Sequence, residues 1–484
     1  MSGASKRVRG GRSRNTSAAV SAGSATGGVG IVRSRRWSDT FVFVLALTGA
    51  AIGFKAIWQF PYLVSQNGGG AFILVYLLLA FLIGAPLLIA ELMLGRRTHA
   101  SPIATFAELG AGARGGRYWA VVGWIAVFGG FIVFACLSVI AGWAGGYFVR
   151  SAAGVFEGLT ADGIASVFAL FVKDPEKQLF WHLVFVVMTM VVVARGVRRG
   201  IEPAVKLFGP LLFVILLVLV IYAMVTGNLE DAAIYLFTPE FSRLSPAAWF
   251  AALAHVFFSL GLGTGMALMY GAYLQRDVSI PRAALTVVGL DALVGVCASV
   301  VVLSVLLGGG VAPASGPGLV FQALPLAFDH LPFGRWFASL FFALLIIIAL
   351  LTAIALVDPC VAWVSERFRL TRRRSALLVG LCAWGVGLAA IFSFNVWAFS
   401  FPFFGTEKNL GLFDVLQILT AQILLPIAGI MIALFAGWAL SAQSARDDLA
   451  LRSPCAFDAW WWLLRVVVPL SLFLLMFNLY TLYA

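Results

Sequence analysis

The run Thr48-Gly-Ala-Ala-Ile-Gly53 continues into Gly53-Phe-Lys-Ala-Ile-Trp-Gln-Phe-Pro-Tyr62, and Gln66-Asn-Gly-Gly-Gly-Ala-Phe72 follows it. Gly49 and Gly53 lower the cost of leaving a helix in the middle of an apolar stretch that is long enough to cross a membrane. Ser259-Leu-Gly-Leu-Gly-Thr-Gly265 interrupts a second such stretch. Unwound backbone at that depth is tolerated only where it faces protein or a cavity, so the pair predicts a central transport site. The alternative is that these small residues only allow close helix packing.

The composition places most of the chain in lipid. Of its 484 residues, 62% are hydrophobic and 11% are charged, and the mean hydropathy is +0.99. Soluble globular chains do not have such values. Because a spanning helix needs about 20 apolar residues, the apolar runs predict an all-α polytopic membrane protein with eleven helices, here called segments 1 to 11. Their predicted bounds are 38–66, 69–95, 117–149, 179–196, 201–226, 245–273, 282–309, 334–366, 373–395, 411–440 and 457–482.

Basic residues mark one side of the membrane. Arginines cluster in the connections that follow segments 2, 4, 6, 8 and 10, and the intervening connections are poorer in cations. This pattern predicts a cytoplasmic N-terminus, an outer C-terminus and a place in the cell inner membrane. It also accounts for the net charge of +12 without a nucleic-acid partner. Residues 1–36 are rich in Ser, Gly and Arg, which predicts a disordered basic cytoplasmic tail.

The motifs around both interruptions resemble those of one family. Residues 53–62 and 66–72 are similar to the first-helix signature of the neurotransmitter:sodium symporter family, G-x-G-N/S-x-W-R/K-F-P-Y followed by N-G-G-G-A-F. Further similarities lie at 91–96, 195–203, 236–241 and 257–263, so that the resemblance covers about residues 33–480. It implies the LeuT fold, a 5+5 inverted repeat plus an eleventh helix, as one transporter domain over residues 37–484. Segments 1, 2, 6 and 7 would rock against segments 3, 4, 8 and 9.

The resemblance also implies a function and a substrate site. It implies a secondary transporter, not an enzyme, which moves an amino acid or related small amine across the lipid bilayer by alternating access. It gives no oligomeric state. Leu137 replaces the family's helix-three tyrosine, so either Lys55 holds the substrate carboxylate or the substrate lacks a conventional α-amino acid head group. The positions carried over as substrate-binding are Ala50, Ala51, Phe54, Lys55, Val133, Leu137, Phe258, Ser259, Gly261, Thr264, Thr352 and Leu356.

The family's first sodium site is altered in this sequence. Its ligands correspond to Ala51, Ser259 and Asp291, while Ala56 removes one oxygen and Lys55 replaces a glycine. Buried charges in a membrane need partners. We therefore predict that the Lys55 ammonium takes the place of this sodium ion and pairs with Asp291. In the alternative, Lys55 extends into the outer vestibule and Asp291 is protonated or bonded elsewhere.

The second sodium site is weakened as well. It corresponds to backbone oxygens of Gly49, Ile52 and Ile348 and to two hydroxyls, of which Thr352 keeps one and Leu351 loses the other. These changes predict altered or lost sodium coupling, with no cofactor and with sodium only a possible ligand. The alternatives are a proton-coupled transporter or exchanger, with Asp358 and His255 as candidate proton carriers, and a non-transporting sensor or scaffold that retains the fold.

The predicted outer gate departs from the family, whereas the predicted inner latch is better preserved. Gln59 and Gln417 replace an arginine and an aspartate at the outer gate, which Phe258 roofs. Losing both charges together leaves neither one stranded. Arg35, Trp37, Tyr273 and Glu366 are the residues that the resemblance assigns to the inner latch.

Overall fold

The computed structural model describes residues 36–113, 115–313, 316–397, 401–403, 406–451 and 453–483. Residues 1–35 of the predicted basic tail, and with them Arg35, lie outside this range. The described part of the chain is almost entirely helical, as predicted from its apolar runs.

Nine unbroken helices in the described residues are long and apolar enough to cross a membrane. Their ends lie within a few residues of the predicted ends, because Gly, Pro and Arg residues delimit the apolar runs. They are segments 2 to 5, 7 to 9, 10 and 11, with the bounds Gly70–Thr98, Gly116–Ala152, Pro175–Ala194, Val197–Thr226, Ile280–Gly308, Gly334–Phe368, Arg372–Phe392, Leu412–Ala439 and Pro454–Asn478.

The two remaining segments are broken where the sequence predicts it. Segment 1 consists of Thr40–Ala51 and Lys55–Gln66, whose axes differ by 59°. Segment 6 consists of Pro246–Ser259 and Met266–Ala272, joined by unwound backbone. Three glycines in that connection, Gly261, Gly263 and Gly265, have φ of 60°, 76° and 78°. A side chain at such φ values is strained, so glycine is required for this path of the chain. The described residues thus contain the eleven predicted segments.

Shorter elements connect the segments. They are the helices Pro102–Ala111, Ala161–Lys173, Leu229–Phe237, Leu319–Asp329 and Ala442–Leu449, a 3-10 turn at Phe241–Arg243, and the antiparallel strands Phe401–Phe403 and Thr406–Leu410. The two strands form a hairpin between segments 9 and 10, which the sequence analysis did not predict.

The segments pack in two groups. Segment 3 lies along segment 8, and segment 4 lies against segments 3 and 9. Segment 2 packs against both halves of segment 6, and the second half of segment 1 packs on segment 7. At the crossing of segments 2 and 6, a Cβ on Gly95 would lie 1.8 Å from the carbonyl oxygen of Leu268. The bare Cα of Gly95 therefore allows the two backbones to touch. This division agrees with the LeuT fold.

Candidate functional site

A cavity of about 140 Å³ lies between the two broken segments. Segments 1, 3, 6, 8 and 10 form its wall, which is mostly apolar. Ala51 is buried next to the break but is not part of the wall. The other eleven residues assigned from the resemblance line the cavity together: Ala50, Phe54, Lys55, Val133, Leu137, Phe258, Ser259, Gly261, Thr264, Thr352 and Leu356.

Sequence reasoning missed part of this wall. Cys136 and Ile140 of segment 3 line the cavity, and so do Thr420 and Ala421 of segment 10. Cys136 and Ile140 follow Val133 by three and seven positions, so they share its helix face. That spacing was a usable signal for segment 3. In segment 10, Thr420 and Ala421 follow the predicted gate residue Gln417 by three and four positions, so the same helix-face argument applies there.

Lys55 is the charged residue of the described cavity wall. It is the first residue of the helix that resumes after the break in segment 1. Its Nζ lies 4.9 Å from the centroid of the Phe258 ring, a distance typical of a cation–π interaction. Among the described residues, no hydrogen-bond or ion-pair acceptor lies within reach of this ammonium.

Asp291 is bonded to hydroxyl groups instead of Lys55. The Tyr76 hydroxyl donates to its Oδ2 at 2.7 Å, and the Ser259 hydroxyl donates to its Oδ1 at 2.8 Å. The predicted Lys55–Asp291 ion pair is therefore wrong in this structure. The reason is local, since two donors already surround the buried carboxylate, while Lys55 faces the cavity and the Phe258 ring. One part of the alternative, in which Asp291 is bonded to other groups, agrees with the structure.

The second predicted sodium site offers few oxygen ligands. The Thr352 hydroxyl donates to the carbonyl oxygen of Ile52 at 3.2 Å, so two of the predicted ligands bond to each other. Leu351 packs against the bare face of Gly49, where an added Cβ would lie 2.8 Å from Leu351 Cδ1. Ile348 is buried on the same helix. Because sodium requires several oxygen ligands, these residues fit the ion poorly.

The sequence matches a known family over most of its length. The profile described as "Sodium:neurotransmitter symporter family" matches residues 34–157 and 174–483. The chain belongs to this family. It is therefore a polytopic membrane transporter and not an enzyme, and the predictions of family and fold are confirmed.

Relatives of this transporter match different shares of the chain. An uncharacterized sodium-dependent transporter of Bacillus subtilis, YhdH, is 32% identical over 447 residues, which are 92% of this chain and 97% of YhdH. The sodium-dependent neutral amino acid transporter B(0)AT2 of Bos taurus is 28% identical over 299 residues, 56% of this chain and 40% of its own length. The crystal structure of MhsT in complex with L-phenylalanine matches with a TM-score of 0.82 and 33% identity, covering 92% of this chain and 99% of MhsT.

The two glutamines of the predicted outer gate lie in different environments. Gln417 lines the cavity, whereas Gln59 is half-buried and is not part of the wall. No hydrogen bond joins their side chains in the described part of this transporter. Their gating role stays a prediction.

At the opposite end of the cavity, Trp37 anchors the start of segment 1. We call this side of the membrane the N-terminal face. Trp37 is 1% exposed, its Nε1 donates to the Tyr270 carbonyl at 3.2 Å, and its backbone N donates to the Tyr273 carbonyl at 3.1 Å. Glu366 accepts the Ser101 backbone N–H at 3.3 Å. Because Arg35 lies outside the described residues, its predicted contact with Glu366 stays untested.

An ion pair that the sequence analysis missed lies beside Trp37. Arg372, at the start of segment 9, is paired with Asp358 of segment 8. The Tyr273 hydroxyl of segment 6 donates to the other Asp358 oxygen at 2.9 Å. All three side chains are buried. The positive-inside rule alone accounts for arginines near residue 372, so the sequence pattern does not indicate this contact.

The two candidate proton carriers differ in their surroundings. Asp358 is held in the ion pair with Arg372. His255 stacks on Phe60 with ring centroids 5.0 Å apart and also contacts Tyr76. His255 lies within the aromatic packing, and a proton-carrying role for either residue stays a prediction.

Proposed function

We propose that this transporter carries an apolar amino acid by alternating access through the cavity between its two broken segments. The carrying observation is the cavity itself, which combines an apolar wall with one cation at the helix break. The names of two similar proteins support the substrate class, since MhsT is in complex with L-phenylalanine and B(0)AT2 is a neutral amino acid transporter. A simple amine is disfavoured because it would place a second positive charge beside Lys55.

We further propose that sodium does not drive this transport. YhdH and B(0)AT2 are named as sodium-dependent, but two geometries in this chain favour a different coupling. Thr352 is bonded to Ile52 and Leu351 packs on Gly49 at the second site, while the Asp291 carboxylate is bonded to Tyr76 and Ser259 at the first. Each lost ion removes about 2.3 kcal/mol per 100 mV of membrane potential. Exchange or facilitated uptake needs no such contribution.

The proposed orientation places the N-terminus in the cytoplasm of a cell with an inner membrane. Arg96 donates to the carbonyl of Val278, in the connection between segments 6 and 7. Arg372 and Trp37 meet through Tyr273 at the end of segment 6. The N-terminal face therefore carries the arginines that the positive-inside rule assigns to the cytoplasm.

Uptake by proteoliposomes tests this proposal. Purified protein is reconstituted, and uptake of radiolabelled L-leucine, L-phenylalanine and other L-amino acids is measured with sodium, pH and internal substrate varied one at a time. We expect the liposomes to take up apolar amino acids. Internal substrate should accelerate this uptake, and removal of sodium should leave it unchanged. Binding of an amino acid without uptake or counterflow would contradict the proposal and would indicate a non-transporting sensor.

A further inference from the structure

The Lys55 ammonium lies in the membrane interior without a counter-charge. Its side chain is partly covered, its Nζ faces the Phe258 ring at 4.9 Å, and no acidic residue in the described part of the chain lines the same cavity. A cation–π contact contributes only about 0.5–2 kcal/mol, less than the cost of holding an unpaired charge at this depth. The site is therefore electrostatically incomplete without an anion.

The hydroxyl groups of the cavity wall do not compensate the charge of Lys55. The hydroxyl of Ser259 donates to Asp291, at 2.8 Å. The hydroxyls of Thr264 and Thr352 donate to the carbonyl oxygens of Gly261 and Ile52, at 2.6 Å and 3.2 Å. Each hydroxyl hydrogen is thus used within the protein, and two carbonyls at the breaks already accept a hydrogen bond. Lys55 is left as the charged donor that a ligand can use, beside the neutral side chains of Trp58 and Gln417 in the same wall.

From this geometry, we propose that the substrate's carboxylate binds the Lys55 ammonium and that the α-amino group is not required for binding. The substrate class is then apolar carboxylates, which includes apolar amino acids and their deaminated analogues. The inference rests on the proposed function, because it assigns a chemistry to the same cavity. Leu137 agrees with it, since segment 3 supplies no hydroxyl there and the carboxylate depends on Lys55.

Binding of three matched ligands tests this assignment. L-Leucine is compared with 4-methylpentanoate, which lacks the amino group, and with 3-methylbutan-1-amine, which lacks the carboxylate; L-phenylalanine, 3-phenylpropanoate and 2-phenylethylamine form a second set. Calorimetry on the purified full chain measures each affinity. We expect each carboxylate to bind within about tenfold of its amino acid and the amines to bind at least tenfold more weakly, as an ion pair with Lys55 requires.

The variant Lys55→Met removes the charge and shortens the side chain by one atom. We expect amino acid and carboxylate affinities to fall about 10- to 100-fold, the range for hydrogen bonds to charged groups. Amine affinity should not fall. This opposite response separates a charge effect from misfolding, since a distorted cavity would weaken all three ligands. Lys206→Met is the matched control, because Lys206 is exposed on segment 5 and its replacement should change none of the affinities.

The outcomes distinguish the inference from the function on which it rests. Amines that bind as well as amino acids, or a Lys55→Met protein with unchanged affinity for carboxylates, would overturn the inference and leave amino acid transport standing. If wild-type protein binds neither amino acid nor carboxylate in either set, the proposed function and the inference both fail.

Discussion

Replacing Arg372 with methionine is expected to lower the free energy of unfolding by about 3–5 kcal/mol, the usual cost of leaving one buried charge without its partner. Arg372 is paired with Asp358, and its Nε also donates to the Val193 carbonyl at 2.8 Å. Through Tyr273, the Asp358 carboxylate also holds the second half of segment 6. The variant therefore strands a carboxylate that ties three segments together at the N-terminal face.

Denaturant titration of the purified protein in detergent measures this effect. Arg373→Met is the matched control, because Arg373 is the next residue in sequence and is exposed. Adding Asp358→Asn to Arg372→Met should recover part of the loss, since neither charge is then stranded. An Arg372→Met protein as stable as Arg373→Met would show that the ion pair contributes nothing to stability.

Replacing Asp291 with alanine should cost about 2–6 kcal/mol, because each of two buried donors loses its acceptor at about 1–3 kcal/mol. Asp291 is 1% exposed, and its carboxylate accepts from Tyr76 of segment 2 and Ser259 of segment 6. Asp291→Asn keeps an acceptor oxygen for one of these hydroxyls, so it should lose less. The residue thus links three segments at the second break.

Thermal unfolding of the two variants, followed side by side, separates these contributions. Asp291→Ala should unfold at a clearly lower temperature than Asp291→Asn. Equal stability of the two variants would contradict the role of this carboxylate as the acceptor of both hydroxyls.

Much of the fold was predictable because its causes are local in the sequence. Long uncharged runs marked the spanning helices, and Gly261, Gly263 and Gly265 marked a path of positive φ that few other residues adopt. Phe54, Phe258 and the residues near them lie within family motifs, so their place at the cavity followed from the resemblance.

The rest depended on packing between distant segments. Asp291 is bonded to Tyr76 and Ser259 and not to Lys55, and no spacing in the sequence shows this choice of partners. In the sequence, Arg372 looks like the other arginines that follow the positive-inside rule. Its pairing with Asp358 depends on the packing of segments 6, 8 and 9. Thr420 of segment 10 lines the cavity together with Gln417, which the resemblance names only as a gate residue.

We propose that protein groups occupy the positions that the family resemblance assigns to sodium. Thr352 is bonded to Ile52, and Lys55 supplies a fixed positive charge beside the cavity. The most direct test is the dissociation constant of the amino acid that binds most tightly, measured by calorimetry in sodium chloride and in potassium chloride of equal concentration. We predict values within about twofold of each other, whereas affinity tenfold or more higher in sodium, about 1.4 kcal/mol, would contradict the claim.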